Sequence, residues 1–355
     1  MQNVKGKKVF VGLSGGVDSS VSAALLLRAG ADVAGVFIKG WYPAFLDCNW
    51  KDERRDAMRV AAHLGIPFLT CDAEDSYKQH VVDYMVSEYK AGRTPNPDVM
   101  CNKHVKFGTF FDFAMEHGAD YIATGHYAQA KEGILYKGED SNKDQSYFLW
   151  AVPKEQIEKT LFPIGNIEKK EVRKIAKKYK LFTSEKKDSQ GLCFLGKIDL
   201  TEFLSHYISK KEGDVLNDSG EVIGKHDGVH LYTLGERHGF TITKKSTEDE
   251  PQYIVSKDVE KNTITVSHLN IEVQEKTSKS VLLRDVNWVI EPSINEVYEC
   301  RWRYRQELSF CKINKKEGEY EVSFSEPQMY VPLGQSIVLY EGEKCLGGGI
   351  IDSVL

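Results

Sequence analysis

The sequence predicts an α/β domain with a parallel sheet, followed by a small helical linker domain and a C-terminal antiparallel β-barrel domain. Three observations predict this. Apolar strand-like runs alternate with helical stretches up to about Ala130, the pattern of a parallel sheet covered by helices. A short basic stretch, mainly helical, runs from about Phe162 to Gly213. From about Val215 the texture changes to short β-rich runs separated by Gly, Asn, Asp and Pro, which suggests a small barrel or a pair of barrels. The boundaries expected are 1–160, 161–214 and 215–355. A chain of 355 residues exceeds the usual single-domain size, so each part can bury a core of its own.

The first strand carries Val9, Phe10, Val11 and Leu13, and a helical stretch opens at Val21. Between them Ser14 to Ser20 read SGGVDSS. Gly15 and Gly16 let backbone amides approach an anion, Ser14, Ser19 and Ser20 add hydroxyls, and the following helix aims its positive end at the same place. Nucleotide phosphate is the expected guest. The Gly-Lys-[Ser/Thr] ending of the nucleoside-triphosphatase loop and the spaced glycines of the dinucleotide fingerprint are both missing. Further strands are expected at Asp32–Lys39, Pro67–Cys71 and Asp120–Thr124, and helices at Asp52–Leu64, Asp75–Tyr89 and Val105–His117. The loop then sits at the carboxyl end of a strand, where open α/β sheets bind ligands.

Net charge is −5, which argues against a chain coated in nucleic acid but hides local patches. Between Glu168 and Lys187 nine basic residues stand against three acidic ones. That stretch can meet a phosphate backbone, or form a solvated helix face with Ile167, Val172, Ile175 and Tyr179 turned inward, and the two are compatible. No apolar run approaches a membrane span, and MQNVKGKKVF enters the first strand too soon for a signal peptide, so a cytoplasmic protein with no membrane partner is expected.

Cys48, Cys71, Cys101, Cys193, Cys300, Cys311 and Cys345 form no CxxC pair and no zinc-spaced cluster, so no metal site is expected from them. Each reads first as a small buried hydrophobe. Two stand in suggestive surroundings. In EYKAGRTPNPDVMCNKHVKF, Pro95 and Pro97 are expected to stiffen an exposed loop holding Asp98 and Cys101. In KKDSQGLCFLG, Lys186 and Lys187 precede Cys193, and nearby positive charge favours a thiolate. Cys300 to Arg305, CRWRYR, would as a strand place three guanidiniums on one face and two aromatics on the other, either as a barrel strand with a solvated basic face or as a nucleic-acid contact.

The loop resembles that of the PP-loop pyrophosphatases, which grip the pyrophosphate leaving ATP, so the first domain is expected to be Rossmann-like. With SGGVDSS, TPNPDVMCNKHVKFG, ATGHYA, DSNKDQSYFL, KDSQGLCFLG and CLGGGII in this order, nearly the whole chain resembles the tRNA-specific 2-thiouridylases of the bacterial and mitochondrial MnmA/TrmU family. The resemblance implies ATP-dependent 2-thiolation of the wobble uridine: adenylation of the uracil 2-carbonyl oxygen, then persulfide sulfur transfer.

It assigns Gly12, Leu13, Ser14, Gly15, Gly16, Val17, Asp18 and Ser19 to ATP phosphates, with Asp18 helping to place Mg2+, and Ile38 and Gly125 to the nucleoside. Cys193 becomes the persulfide carrier, Cys101 the partner thiol, and Asp98 a general acid or base. Asn96, Pro97 and Asp98 are expected to touch the flipped base, while His126, Lys143, Asp144, Gln145, Arg303, Tyr304 and Gln335 match positions that meet tRNA. The implied partners are the anticodon stem-loop of tRNA and a sulfur donor, a cysteine desulfurase or sulfur-relay protein, with the chain acting as a monomer. The segment WYPAFLDCNWKDERRD, Trp41 to Asp56, departs from the family pattern, which leaves open the loop over the nucleotide and any role for Asp47 or Cys48. Two other readings compete: another PP-loop synthetase acting on a small molecule, and a non-catalytic tRNA-binding protein. The absence of a glutaminase-sized domain speaks against the first, and the presence of Ser14, Asp18, Cys101 and Cys193 against the second.

Overall fold

A computed structural model describes residues 3–45, 50–187, 200–243, 251–268 and 277–355. Asp47, Cys48 and Cys193 lie outside the described residues. β1 (Lys8–Gly12) and β2 (Asp32–Lys39) are unbroken apolar runs because both faces of the sheet are covered. α1 (Val17–Arg28) and α2 (Trp50–Leu64) flank them, and β3 (Phe68–Asp72) completes one wing. Two helical rods follow, residues 74–90 and 97–116, each with a wider π-type winding, at Lys78–Asp83 and Cys101–Thr109. β4 (Tyr121–Ala123) then pairs with β1 on the side opposite β2.

After β4 comes a hairpin, β5 (Ala128–Lys131) and β6 (Ile134–Lys137), and then β7 (Thr160–Leu161). The parallel sheet runs β3-β2-β1-β4-β7. Its strand order reverses between β1 and β4, so the loops after these two strands open into one crevice, the place where such sheets bind ligands.

Strands Gly213–Leu216, Val222–His226, Thr241–Ile242, Gln252–Asp258 and Thr263–His268 form a second sheet, with one parallel pairing, Gly213–Leu216 against Thr263–His268, in an otherwise antiparallel pattern. The third is a closed antiparallel barrel of six strands, sealed where Ser278–Trp288 pairs with Lys344–Val354. The hairpin β5–β6 extends it: Leu135 and Tyr136 pair with Cys345 and Lys344. One buried cluster therefore runs from Phe10 and Ile38 through Phe107 and Phe203 to Val338 and Tyr340.

Two local expectations are corrected. The segment around Asp98 and Cys101 is not an exposed loop. Asn96 Oδ1 accepts the Val99 amide at 3.3 Å and caps a helix whose first residue is Pro97; the ring presets φ and lacks only an N–H that would go unbonded there anyway. Thr94, Pro95, Asn96 and Cys101 are buried. Nor is Cys300–Arg305 a strand throughout. The strand Val297–Arg301 stops at Arg301, which is buried at 7 % exposure together with Trp302, and Arg303 to Arg305 form a turn with Arg305 at φ 63°. The alternation of arginines and aromatics thus does not sort onto two faces.

Candidate active site and nucleic-acid interface

The loop Ser14–Gly16 turns between β1 and α1 with Gly15 at φ 72°. A Cβ on Gly15 would stand 2.9 Å from both Asp56 Cβ and the Glu53 carbonyl oxygen, so only glycine fits against α2. The Gly16 N-cap has no side-chain bond to the helix amides, leaving the turn as a nest of donors with the helix dipole behind it. The hydroxyls hold its shape: Ser20 Oγ donates to the Gly16 carbonyl at 2.6 Å, Ser19 Oγ donates to the same carbonyl at 3.3 Å, and Gly16 N donates to Ser14 Oγ at 3.3 Å.

The loop after β4 closes the other wall. A Cβ on Gly125 would lie 2.7 Å from Ser19 N, so the absence of a side chain brings this loop onto the first turn of α1. Gly12 faces Ile38 Cδ1 and Phe110 Cε1, each 3.6 Å from where its Cβ would be. Gly12, the loop, Asp18, Ser19, Ile38 and Gly125 are thus brought together, and Phe110 joins them to helix 97–116. Cys101 lies nine positions before Phe110 on the same helical rod.

Lysines reach the loop from the basic linker. Lys169, the first residue of helix Lys169–Lys178, places Nζ 2.8 and 2.7 Å from the two carboxylate oxygens of Asp18, and Tyr127 donates its hydroxyl proton to Asp18 Oδ1 at 2.7 Å. Lys186 Nζ donates to the Gly15 carbonyl at 3.1 Å and to Asp56 Oδ2 at 2.9 Å. Beside it, burial pushes the Glu53 carboxyl up, with Lys186 opposing and Asp56 adding to the rise. Neither Lys169 nor Asp56 was anticipated from the sequence, since each meets the loop from another element.

Of the residues assigned to tRNA, Gln335 is tied directly to the segment that leads into helix 97–116, and the others are held by contacts of their own. Tyr147 donates its hydroxyl to the carbonyls of Trp302 and Ser336, each at 3.0 Å, Gln335 Nε2 donates to the Pro95 carbonyl at 3.0 Å, and Arg305 Nε donates to the Asn142 carbonyl at 3.0 Å. Arg303, exposed, donates to the carbonyls of Leu234 and Tyr330. The Tyr304 ring packs 4.7 Å from Phe148. Lys143 and Gln145 are half-buried, and Gln145 Oε1 accepts the Tyr127 amide at 3.0 Å. Asp144 is buried: its carboxylate pairs with Arg301 and accepts from Ser146 and from the Gly138 amide.

His126 is buried between Phe107 and Phe162 with Nδ1 bonded to Thr124 Oγ1 at 2.8 Å. Burial, aided by Lys106, holds its pKa well below the ordinary histidine value, so it is a neutral interior ring. Asp98 is half-buried at the helix start, and Cys101 is fully buried in the first turn of the π-type segment. Cys71, Cys300, Cys311 and Cys345 are buried too.

A donor-rich strand-loop-helix at the switch point of a parallel sheet, joined to a basic helix and a barrel rimmed by arginine, defines a PP-loop enzyme of the HUP class acting on nucleic acid. The sequence model described as "tRNA methyl transferase HUP domain" matches residues 7–197, and those described as a PRC-barrel domain and an "Aminomethyltransferase beta-barrel domain" match 201–268 and 278–351. The chain is 43% identical to the tRNA-specific 2-thiouridylase MnmA of Oceanobacillus iheyensis over 100% of its length and 97% of that protein. It is 45% identical to MnmA 2 of Geobacillus kaustophilus over 98% of its length and 95% of that protein. For MnmA of Pseudomonas fluorescens Pf-5 the figures are 44%, 98% and 94%. The chain belongs to the tRNA-specific 2-thiouridylase family.

Proposed function

We propose that the chain performs 2-thiolation of the wobble uridine of tRNA, activating the uracil oxygen at the PP-loop and replacing it with sulfur from cysteine. The observation that carries this is the join at Phe110: the helical rod 97–116, which carries Asp98 and Cys101 near its start, brings Phe110 against Gly12, just before the phosphate loop. A carbonyl oxygen is a poor leaving group until adenylated, so the base and the α-phosphate of ATP must meet in one crevice. Asn96, Pro97 and Asp98 line its entrance for a base swung out of the anticodon loop. Asp98 exchanges a proton with the uracil.

In the transfer, the terminal sulfur of a Cys193 persulfide attacks C2, the C2–O2 bond breaks, and AMP departs with O2. The Cys101 thiolate then attacks Cys193 Sγ, the sulfur-sulfur bond to the product breaks, and 2-thiouridine leaves behind a Cys101–Cys193 disulfide that an external thiol reduces. Sulfur arrives from a cysteine desulfurase or relay protein, and the chain works as a monomer in the cytoplasm. Among the described residues no helix is long and apolar enough to cross a membrane.

Magnesium fits this site only in company with phosphate. Among the described residues no three His, Cys, Asp or Glu side chains group to hold a metal, but one carboxylate plus phosphate oxygens is a common way to hold this ion. Asp18 is the carboxylate, and the ion when bound neutralises charge on the leaving pyrophosphate. The test is incubation with unmodified tRNA, magnesium, ATP and a persulfide donor, followed by nucleoside analysis. 2-Thiouridine is expected, and its absence with a competent donor overturns the proposal.

A further inference from the structure

The phosphate loop lacks the lysine that other phosphate loops carry within themselves, yet an ammonium group stands at its rim. We propose that Lys169 is the phosphate-binding cation of this loop, held on Asp18 while the loop is empty and passed to the pyrophosphate of ATP when it fills. This rests on the reading of Ser14–Ser20 as the ATP loop.

Four features support it. Lys169 Nζ contacts both carboxylate oxygens of Asp18, in the first turn of α1, so it stands beside the amides that would take the phosphates. The pair is little exposed, at 12% and 30% of the two side chains, where an ion pair is weakly screened. The position is fixed from behind: the Lys169 amide donates to Asp140 Oδ2 at 3.0 Å, and Val172 and Ala176 of its helix pack on Val17 and Val21 of α1. Only the four-carbon stem must swing, and lysine is a point charge on such a stem. The exchange is favourable because a polyphosphate carries several negative charges where Asp18 carries one, and because magnesium would compete for the same carboxylate.

The test is calorimetric binding of inorganic pyrophosphate, α,β-methylene-ATP and AMP to the full chain in the presence of a chelator. Lys169→Gln should weaken pyrophosphate and the ATP analogue about ten- to a hundredfold, the value of a hydrogen bond to a charged group, and leave AMP unchanged. Lys169→Arg should recover most of the loss. Because Lys169→Gln strands Asp18, the cycle is completed with Asp18→Asn and the double variant. Asp18→Asn alone should bind pyrophosphate more tightly than the wild type, and adding Lys169→Gln should abolish the gain. Equal losses for AMP and pyrophosphate, or no loss at all, would overturn the inference while leaving thiolation intact. A wild-type chain that binds no pyrophosphate counts instead against the loop reading beneath it.

Discussion

Gln335, from the C-terminal barrel, donates its side-chain amide to the carbonyl of Pro95 at 3.0 Å, two residues before the helix that carries Asp98 and Cys101. The same barrel segment holds the loop twice more: Thr94 N donates to the Leu333 carbonyl at 2.8 Å, and Gly334 packs against Arg93 and Thr94. Farther back, buried Glu88 joins Arg93 to Arg284 of the barrel. The barrel therefore holds the segment that leads into Asn96 and Asp98. Gln335→Leu is expected to lower thiolation at saturating tRNA about tenfold, leave ATP affinity unchanged, and cost about 1 kcal/mol of stability. Single-turnover kinetics with urea unfolding separates the two effects; a rise in KM for tRNA with kcat unchanged would make Gln335 a contact only.

Arg301 and Asp144 form a buried ion pair between the barrel and the loop at Lys143–Gln145. Removing one partner leaves an unpaired charge inside, which costs about 3–5 kcal/mol. Arg301→Met should show this loss in urea unfolding, and Arg301→Met with Asp144→Asn should recover most of it. If both variants lose alike, the pair is not what couples the two elements.

How much of this was readable in the chain follows the range of the interactions. β1, β2, α2 and the phosphate loop were legible because apolar runs and glycine turns are local signals. The hairpin β5–β6 was not, because it gains its place by pairing with Lys344 and Cys345, more than two hundred residues away. Arg301 misled for the same reason: an arginine in an alternating stretch reads as exposed, and only Asp144, 157 positions earlier, makes it an interior residue. The cap made by Asn96 and Pro97 was local and could have been found, since Asn before Pro before an apolar run is a helix start.

Cys101 is shut inside the free protein, so alkylation with iodoacetamide should be slow. Addition of tRNA and a nonhydrolysable ATP analogue should change its rate if the helix start opens to admit the base; peptide mass spectrometry reads this. Cys101→Ala should retain tRNA-dependent pyrophosphate release while yielding no 2-thiouridine over repeated turnovers. Loss of pyrophosphate release with the fold intact would place Cys101 in the activation step instead.

His104 lies one turn beyond Cys101, stacked 4.4 Å from His80. Burial, then His80 and Lys103, press its pKa down to about 4. Unfolding raises it toward 6.5, so the unfolded chain binds more protons between these values and stability falls as pH drops from 6.5 toward 4, by at most about 1.4 kcal/mol per pH unit. Above 6.5 this group contributes no slope. His104→Gln should flatten the slope in unfolding measured across that range, and an unchanged slope would contradict the assignment.

The division of labour itself, oxygen activated at the phosphate loop and sulfur supplied by cysteine, is tested most directly by the fate of one atom. With 18O at the 2-position of the wobble uridine, a single turnover with ATP and a persulfide donor should deliver the label to the phosphate of AMP, read by mass spectrometry. Label found in water or in pyrophosphate, with 2-thiouridine formed, would contradict adenylation of the uracil oxygen.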